Sequence, residues 1–501
     1  MIFWSEDVLD DTQGLDILGI RALDQGLEAN LVNGITTISA RGRYFSILPW
    51  AIKQFYLERL EAGKPFVAGE LGAYLHRVEF LVIAASLNAP SGKPGGSILG
   101  SDVYSEEMKR LKSGEAVPFP DAKGSRMLNT YYNPCKAIGL LDEGRSDNGV
   151  PYKITPRGDD LWAARSEALK GSPILKILYS QHQLDPETVE KAVPQFSVAN
   201  LDPSSAEADL LRQAFHTPWK ASPVHEQTVQ TRYARFSETR QWIDARISEG
   251  GTSANEILSG NFATCSKMDQ PDLASVSWAE FEWRRRQHYA LELLLFSVCG
   301  VLKLAGDSSI DRILAVVRNQ TENSDDLFDL WPHAKLSWTV SAQDAAASVP
   351  DNLMLGKRLP FGAFNQLKSA HQMLGAFALL SALERQTRRF RKVDFNKSQT
   401  SISDLALRLL IQADDGPYEK LLLALVETCA VLPHLKVTLR KMANGQKCSL
   451  RFFPDGNLLR LTANQASAGF SGSRLDNTLG ILVDIGELSR QSDGSYARRA
   501  A

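Results

Sequence analysis

At 501 residues the chain is longer than one ordinary hydrophobic core organises, so several domains are expected. Hydrophobic residues make up 44% and charged residues 23%, the balance of a globular protein rather than a disordered or fibrous one. With 56 basic and 58 acidic residues the formal charge is -2, which excludes a protein that coats nucleic acid by bulk charge and confines any such contact to a local surface.

The N-terminal MIFWSEDVLDD turns acidic after four apolar positions and lacks the pattern of a secretion signal. Cys135, Cys265, Cys299, Cys429 and Cys448 are scattered, with no CxxC pair, which argues against a zinc ribbon or a disulfide framework and for reduced thiols. No uninterrupted apolar run approaches the ~20 residues of a membrane span; the nearest, around 289–304, carries Glu292 and Lys303. A cytoplasmic bacterial-type protein without a membrane partner is expected.

Residues 31–60, LVNGITTISARGRYFSILPWAIKQFYLERL, read as a helix capped by Thr36 or Thr37. In that register Arg41, Phe45, Leu48, Ile52 and Phe55 share one face, so Arg41 stands among apolar side chains and needs a carboxylate such as Asp16, Asp24 or Glu79. Arg43 falls on another face and is expected to be the more exposed, the better placed of the two to meet a ligand. Pro49 removes one backbone donor and is expected to kink the helix near Phe45.

Further along, GSRMLNT at 124–130 is echoed by GSRLDNT at 472–478. Each opens with a serine suited to capping a helix and reaches a glycine, Gly139 or Gly486, suited to ending one. A short strand, a glycine-bearing turn and a second strand come next in both. Helix, strand, turn, strand is the closing half of a winged helix, and YKITPRG at 152–158 leads into a further helix. The first such helix carries Arg126, Asn129 and Tyr131, and its wing Arg145, Lys153 and Arg157, side chains with the chemistry for base edges and phosphates. A partner-binding or purely structural wing fits the same pattern. The C-terminal copy carries Asp476 and Asp484 beside its arginines and is the poorer DNA candidate.

Helical periodicity dominates the middle, at 227–248, 277–304, 361–392 and 402–412. Two basic clusters interrupt it: Arg284, Arg285 and Arg286 in one, and Arg385, Arg388, Arg389, Arg391 and Lys392 in the other. Either has the charge to follow a phosphate backbone; a solvated helix face is the plainer reading of both. The expected fold class is mainly α, a helical multi-domain protein with one or two winged-helix-like modules carrying short β-hairpins. Its expected sections are an N-terminal helical domain at 1–90, a winged-helix-like module at 91–170, a helical scaffold at 171–350, a helical region at 351–444 and a C-terminal winged-helix-like module at 445–501.

Catalytic motifs are scarce. The eight histidines fit no HExxH or HxH pattern, GKPGGSILG at 92–100 lacks the features of a phosphate loop, and no GxSxG elbow occurs. The acidic DVLDD at 7–11 is suited to a divalent cation and equally to a solvated segment. No catalytic residue, metal ligand or cofactor is assigned.

The stretch LGIRALDQGLEANLVNGITTISARGRYFSILPW resembles the N-terminal signature of uncharacterised bacterial proteins encoded in anti-phage defence islands. Gly34, Ile35, Thr36 and Thr37, then Arg41, Gly42, Arg43, Tyr44 and Phe45, with Pro49 and Trp50 after them, carry the resemblance. Asn33 stands where those proteins usually have proline, and Gly42 where alanine is common. YYNPCKAIGLL and YKITPRG are similar to the segments next in order in those proteins, so the likeness covers about the first 165 residues. It implies a defence context and supplies no activity. The expected function is therefore a non-enzymatic subunit of a bacterial antiviral defence complex, with Arg41, Arg43 and Pro49 structural. Its partners would be other subunits of that complex and double-stranded DNA. A pure protein–protein adaptor and a nuclease-type enzyme with an unrecognised site are the alternatives.

Overall fold

The computed structural model describes residues 16–89, 98–121, 124–145, 151–180, 182–265, 267–326, 330–350, 361–389, 402–444, 448–462 and 467–499. It is mainly helical, and the strands described form two-stranded antiparallel pairs, as the expected class requires. The chain gathers into two compact units. The first comprises Met1–Glu28 with Asn255–Ser471, and the second Ala29–Ala254 with Gly472–Ala501. The five consecutive sections expected from sequence regroup accordingly, and the stretch 445–501 divides at Ser471.

Helix α1 (Arg21–Leu31) carries the chain from the first unit into the second. Next come α2 (Tyr44–Glu61), α3 (Ala68–Leu87), α4 (Ser105–Lys112), β1 (Val117–Pro118), α5 (Arg126–Ala137), β2 (Leu141–Asp142), β3 (Lys153–Ile154) and α6 (Pro156–Ala168). After these stand α7 (Ile174–Ser180), β4 (Gln183–Leu184), α8 (Pro186–Phe196), α9 (Ala206–His216) and α10 (Glu226–Ser248). Helix α2 is the hub, packed against α3, α5 and α6. Every residue from Tyr44 to Ile52 is buried, which explains why YFSILPWAI shows no polar stripe. Pro49 sits inside α2 and does not end it. The carbonyl it leaves without an amide partner is that of Phe45, four residues back. That oxygen accepts the Cys135 thiol of α5 at 3.7 Å.

The helix does not start at Thr36 or Thr37 as expected. Thr36 and Ser39 instead exchange hydrogen bonds, Ser39 N to Thr36 Oγ1 at 3.1 Å and Thr36 N to Ser39 Oγ at 2.7 Å. This local turn competes with the helical path, and α2 begins only after Arg43.

Back in the first unit the chain forms α11 (Ala254–Cys265), α12 (Leu273–Ala305), α13 (Ile310–Thr321), a 3-10 turn at Ala334–Thr339, α14 (Ala342–Ala347) and α15 (Phe361–Gln366). Then come α16 (Ser369–Arg389), α17 (Ile402–Ile411), α18 (Tyr418–Leu425), a π-helical step at Val426–Val431, α19 (Leu432–Ala443), β5 (Phe452–Asp455) and β6 (Leu458–Leu461). Asp272 caps α12 by accepting from Ser275 N at 2.8 Å, and Gly306 closes it at φ 72°. Gly300 lets α16 approach closely, because a Cβ there would overlap Ser369. Leu273–Ala305 and Tyr418–Ala443 are long and apolar enough to cross a membrane, yet 72% and 61% of their apolar windows are covered by the fold. They are core helices.

The chain re-enters the second unit with α20 (Arg474–Asp484), β7 (Leu488–Arg490) and β8 (Tyr496–Arg498). The sequence echo is thus an echo in structure. Ser125 Oγ accepts from Leu128 N at 3.2 Å and Ser473 Oγ from Leu475 N at 3.0 Å. Gly139 and Gly486 close the two helices at φ 72° and 80°, with Leu140 N reaching back to Cys135 O and Glu487 N to Leu482 O, both at 2.9 Å. Those are the bonds of a Schellman motif, and its left-handed residue favours glycine.

Candidate functional site

Helix α5 divides into two faces. Met127, Tyr131, Pro134 and Cys135 are buried, while Arg126, Asn129 and Asn133 are exposed at three- and four-residue steps. Its first turn is held by Glu79 of α3, whose Oε2 accepts from Ser125 Oγ and Met127 N, both at 3.0 Å. Beside the exposed face, Tyr132 and Tyr152 meet edge to face with centroids 5.0 Å apart, and the Lys136 ammonium lies 5.3 Å from the Tyr132 ring. Arg145 and Lys153 are exposed near the β2–β3 pair. Positive charge on this surface is partly offset: Arg126 lies 3.7 Å from Asp102, and Lys136 pairs with Glu143. Exposed pairs of this kind contribute on the order of 0–1 kcal/mol, so a phosphate can displace them.

Two residues expected at this surface are instead internal. Tyr131 is fully buried between Tyr44 and Phe45, and its hydroxyl accepts from Arg41 N at 3.2 Å. Burial pushes that phenol well above its usual range. Arg157 donates to the carbonyls of Ile138, Ala214, Thr217 and Pro218 at 3.0–3.4 Å, joining the C-terminal ends of α5 and α9. The TPRG turn explains its position. Thr155 caps α6 by accepting from Gly158 N at 3.1 Å and donates to Gly139 O at 2.6 Å. A Cβ on Gly158 would overlap Leu140 O, so the turn closes only on glycine.

The ARGRYF segment forms an internal anchor in the same unit. Arg41 binds Asp484 through Nε at 3.0 Å and Nη2 at 2.8 Å, Gly42 N adds a third bond to Asp484 at 2.8 Å, and Val198 O takes Arg41 Nη2 at 2.8 Å. The partner is therefore none of the three carboxylates expected. Burial raises the Asp484 carboxyl to about 6 against the pull of Arg41. Arg43, expected to be exposed, is 2% exposed and cannot meet a ligand from solvent. Its guanidinium binds Glu207 Oε2 at 3.0 Å and Ser197 O at 2.9 Å. Glu207 also accepts from Ser46 and from the fully buried Arg165, which donates to Gln195 O at 2.7 Å. Burial drives the Glu207 carboxyl upward, but Arg165 and Arg43 outweigh it and hold it at about 2. Carbonyls at 195–200, the negative end of α8, complete the set. Glu207 and Arg165 carried no signal in sequence, since each looks like an ordinary charged helix residue until the fold joins them.

In the first unit the expectation of a solvated arginine cluster fails. Arg284, Arg285 and Arg286 are 4%, 1% and 0% exposed, so Arg284 and Arg285 do not offer a phosphate-binding surface. Arg286 Nε donates to Glu282 at 2.8 Å, Arg285 Nη2 to Asn255 at 2.7 Å, and Arg284 Nε lies 3.4 Å from Glu280. Phe470 lies 3.8 Å under the Arg285 guanidinium and Phe262 4.4 Å under that of Arg286. One turn on, His288 sits between Asp24 at 3.0 Å and Glu292 at 3.2 Å. Burial lowers its pKa, but the two carboxylates dominate and raise it to about 9. The side chains of Arg388 and Arg389, like the DVLDD segment, lie outside the described residues.

Among the sequence-selected residues, the described structure leaves Arg126, Asn129, Arg145 and Lys153 at the surface and takes Arg41, Arg43, Tyr131, Arg157, Arg284 and Arg285 into internal bonding. Comparison with protein-family models, with curated proteins and with solved structures gave no match.

Proposed function

We propose that this chain is a non-enzymatic, cytoplasmic subunit of a bacterial anti-phage defence complex that contacts double-stranded DNA through α5 and the β2–β3 hairpin. One observation carries the DNA contact: α5 is fixed by its buried face and turns Arg126, Asn129 and Asn133 outward, and the hairpin that meets it through Tyr132 and Lys136 exposes Lys153, with Arg145 exposed just after β2. Arginine and asparagine are the side chains that read guanine and adenine edges in a major groove, and the flanking cations suit backbone phosphates. The defence context comes from the resemblance of residues 18–50. The opposed pairs Arg126–Asp102 and Lys136–Glu143 favour a second reading, a protein-binding adaptor surface.

Fluorescence anisotropy of a labelled duplex with the full chain separates the two. DNA binding should weaken steeply with added salt, and Lys153→Ala should lower the salt slope by about one. Arg126→Ala should weaken binding about tenfold or more if it reaches a base edge. No salt-dependent binding to duplex would reject the DNA reading and leave the adaptor.

A further inference from the structure

The second unit carries a cleft of about 700 Å³ that no part of the proposed DNA surface uses. Its walls are Arg212, Arg240, Arg498 and Arg499 with Glu487 and Pro203. The lining itself holds four guanidiniums and one carboxylate, and Asp209 and Asp244 pair with three of the guanidiniums from outside it; the volume is within the roughly 300–1,000 Å³ typical of small-ligand sites.

Of the nearby carboxylates, Asp244 and Glu487 are largely buried and orient the arginines, while Asp209, beside Arg212, is 67% exposed. Asp244 accepts from both Arg240 and Arg498 and is 12% exposed, so it sets those two guanidiniums side by side. Glu487, 15% exposed, accepts from Arg240 Nε at 2.8 Å and lies 2.5 Å from His216 Nε2. Arg212 is fixed by donating to Ile485 O at the end of α20 and to Asp209. Each guanidinium has five N–H donors, so one or two such bonds leave others to offer. Arg498, 69% exposed, and Arg499, also exposed, keep donors toward solvent. Largely buried carboxylates that hold Arg240 and Arg498 at the rim of an open cleft are the arrangement a preorganised oxyanion site requires.

We propose that this cleft binds a multiply charged phosphate group. The phosphate comes either from a free polyphosphate or nucleotide, or from the backbone of a bound nucleic acid. Arg212 and Arg240 form the fixed floor, and Arg498 and Arg499, carried by the β7–β8 hairpin and the residue after it, close on the ligand. In sequence this C-terminal module looks the poorer anion site of the two because of Asp476 and Asp484. Asp484 is spent internally on Arg41, which removes it from the balance at the cleft.

The test is titration calorimetry on the full chain with inorganic tripolyphosphate, with ATP, and separately with duplex DNA. The variant is Arg498→Ser combined with Arg499→Ser, both at exposed positions; Arg212→Gln is the second. Tripolyphosphate should bind the native chain at one site and lose about tenfold or more in the double variant at unchanged melting temperature, as expected when bidentate charged contacts are removed. If duplex affinity falls in the double variant and tripolyphosphate does not bind, the phosphate is that of a nucleic acid. If tripolyphosphate and ATP lose affinity and duplex does not, it is a free anion. Binding of neither probe, or binding indifferent to both variants, overturns the cleft assignment. The Arg126→Ala result is independent of these readings, so either proposal can fail alone.

Discussion

Glu207 shows how much one buried carboxylate can hold. It pairs with both Arg43 and Arg165, whose remaining charge is met by backbone carbonyls, and Ser46 completes its shell, all with little or no exposure. Removing one partner of such a group leaves charge without compensation, which costs about 3–5 kcal/mol, whereas an exposed pair costs a fraction of that. Glu207→Gln should therefore lower unfolding free energy by that amount in a urea titration, and a loss under about 1 kcal/mol would show the guanidiniums are satisfied by carbonyls alone. His288 makes the opposite kind of statement, about protons. Its folded pKa of about 9 lies above the ordinary 6.5, so its contribution is fully present below pH 6.5 and is lost as pH rises through 9. The groups facing it are Asp24 and Glu292, with Arg284 and Arg285 acting on Asp24. A shift of that size corresponds to about 3 kcal/mol. The stability difference between the native chain and His288→Gln should shrink between about pH 6 and pH 10, and a pH-independent difference would place the histidine's value in packing.

At the scale of elements, what was legible in the sequence was what is local. Ser125 and Ser473 cap helices because their hydroxyls reach an amide two or three residues away, and such spacing is visible in one dimension. Gly139 and Gly486 were legible for the same reason. The start of α2 was not, because Thr36 bonds to Ser39 and spends the hydroxyl that looked like a cap. Nor were the partners of Arg41 and Arg43, which lie 443 and 164 positions away. The glycines also carry an expectation that local reasoning does not supply. A Cβ at Gly139 would overlap the Trp219 ring and one at Gly486 would overlap Pro203, whereas Gly494, at φ 84° in the β7–β8 turn, has open space. Gly494→Ala should cost only the left-handed backbone strain, about 1–2 kcal/mol. Gly486→Ala and Gly139→Ala should cost clearly more, by thermal or chemical denaturation, since backbone strain and overlap add. Equal costs at all three would mean that both contacts yield without resistance.

For the whole molecule, the consequence of interleaving is that neither unit is a continuous piece of chain. The second unit takes its last helix and hairpin from Gly472–Ala501, after more than two hundred residues spent in the first. Those final residues are not an appendage. Leu475, Leu479, Ile481 and Leu482 of α20 are buried, and burying such side chains is worth roughly 1.5–3 kcal/mol each. Asp484 at the end of the helix holds Arg41 and Gly42, while Arg474 and Asn477 donate to Ile35 O at 3.1 Å and Thr36 O at 2.7 Å. The segment from Ile35 to Gly42 is thus fixed by residues more than four hundred positions away. Truncation after Ser471 should leave Arg41 without its carboxylate and expose the apolar bed of α20, a combined loss comparable with the roughly 5–15 kcal/mol that holds a typical domain together. Hydrogen exchange should then report lost protection at α2 and α5, while α12 and α16, whose core is built from residues before Gly472, keep theirs. Retained protection in α2 after the truncation would show that Ala29–Ala254 folds without its C-terminal segment. Adding a peptide of residues 472–499 in trans should restore protection to α2 if the anchor is the cause, and a peptide carrying Asp484→Asn should restore less of it.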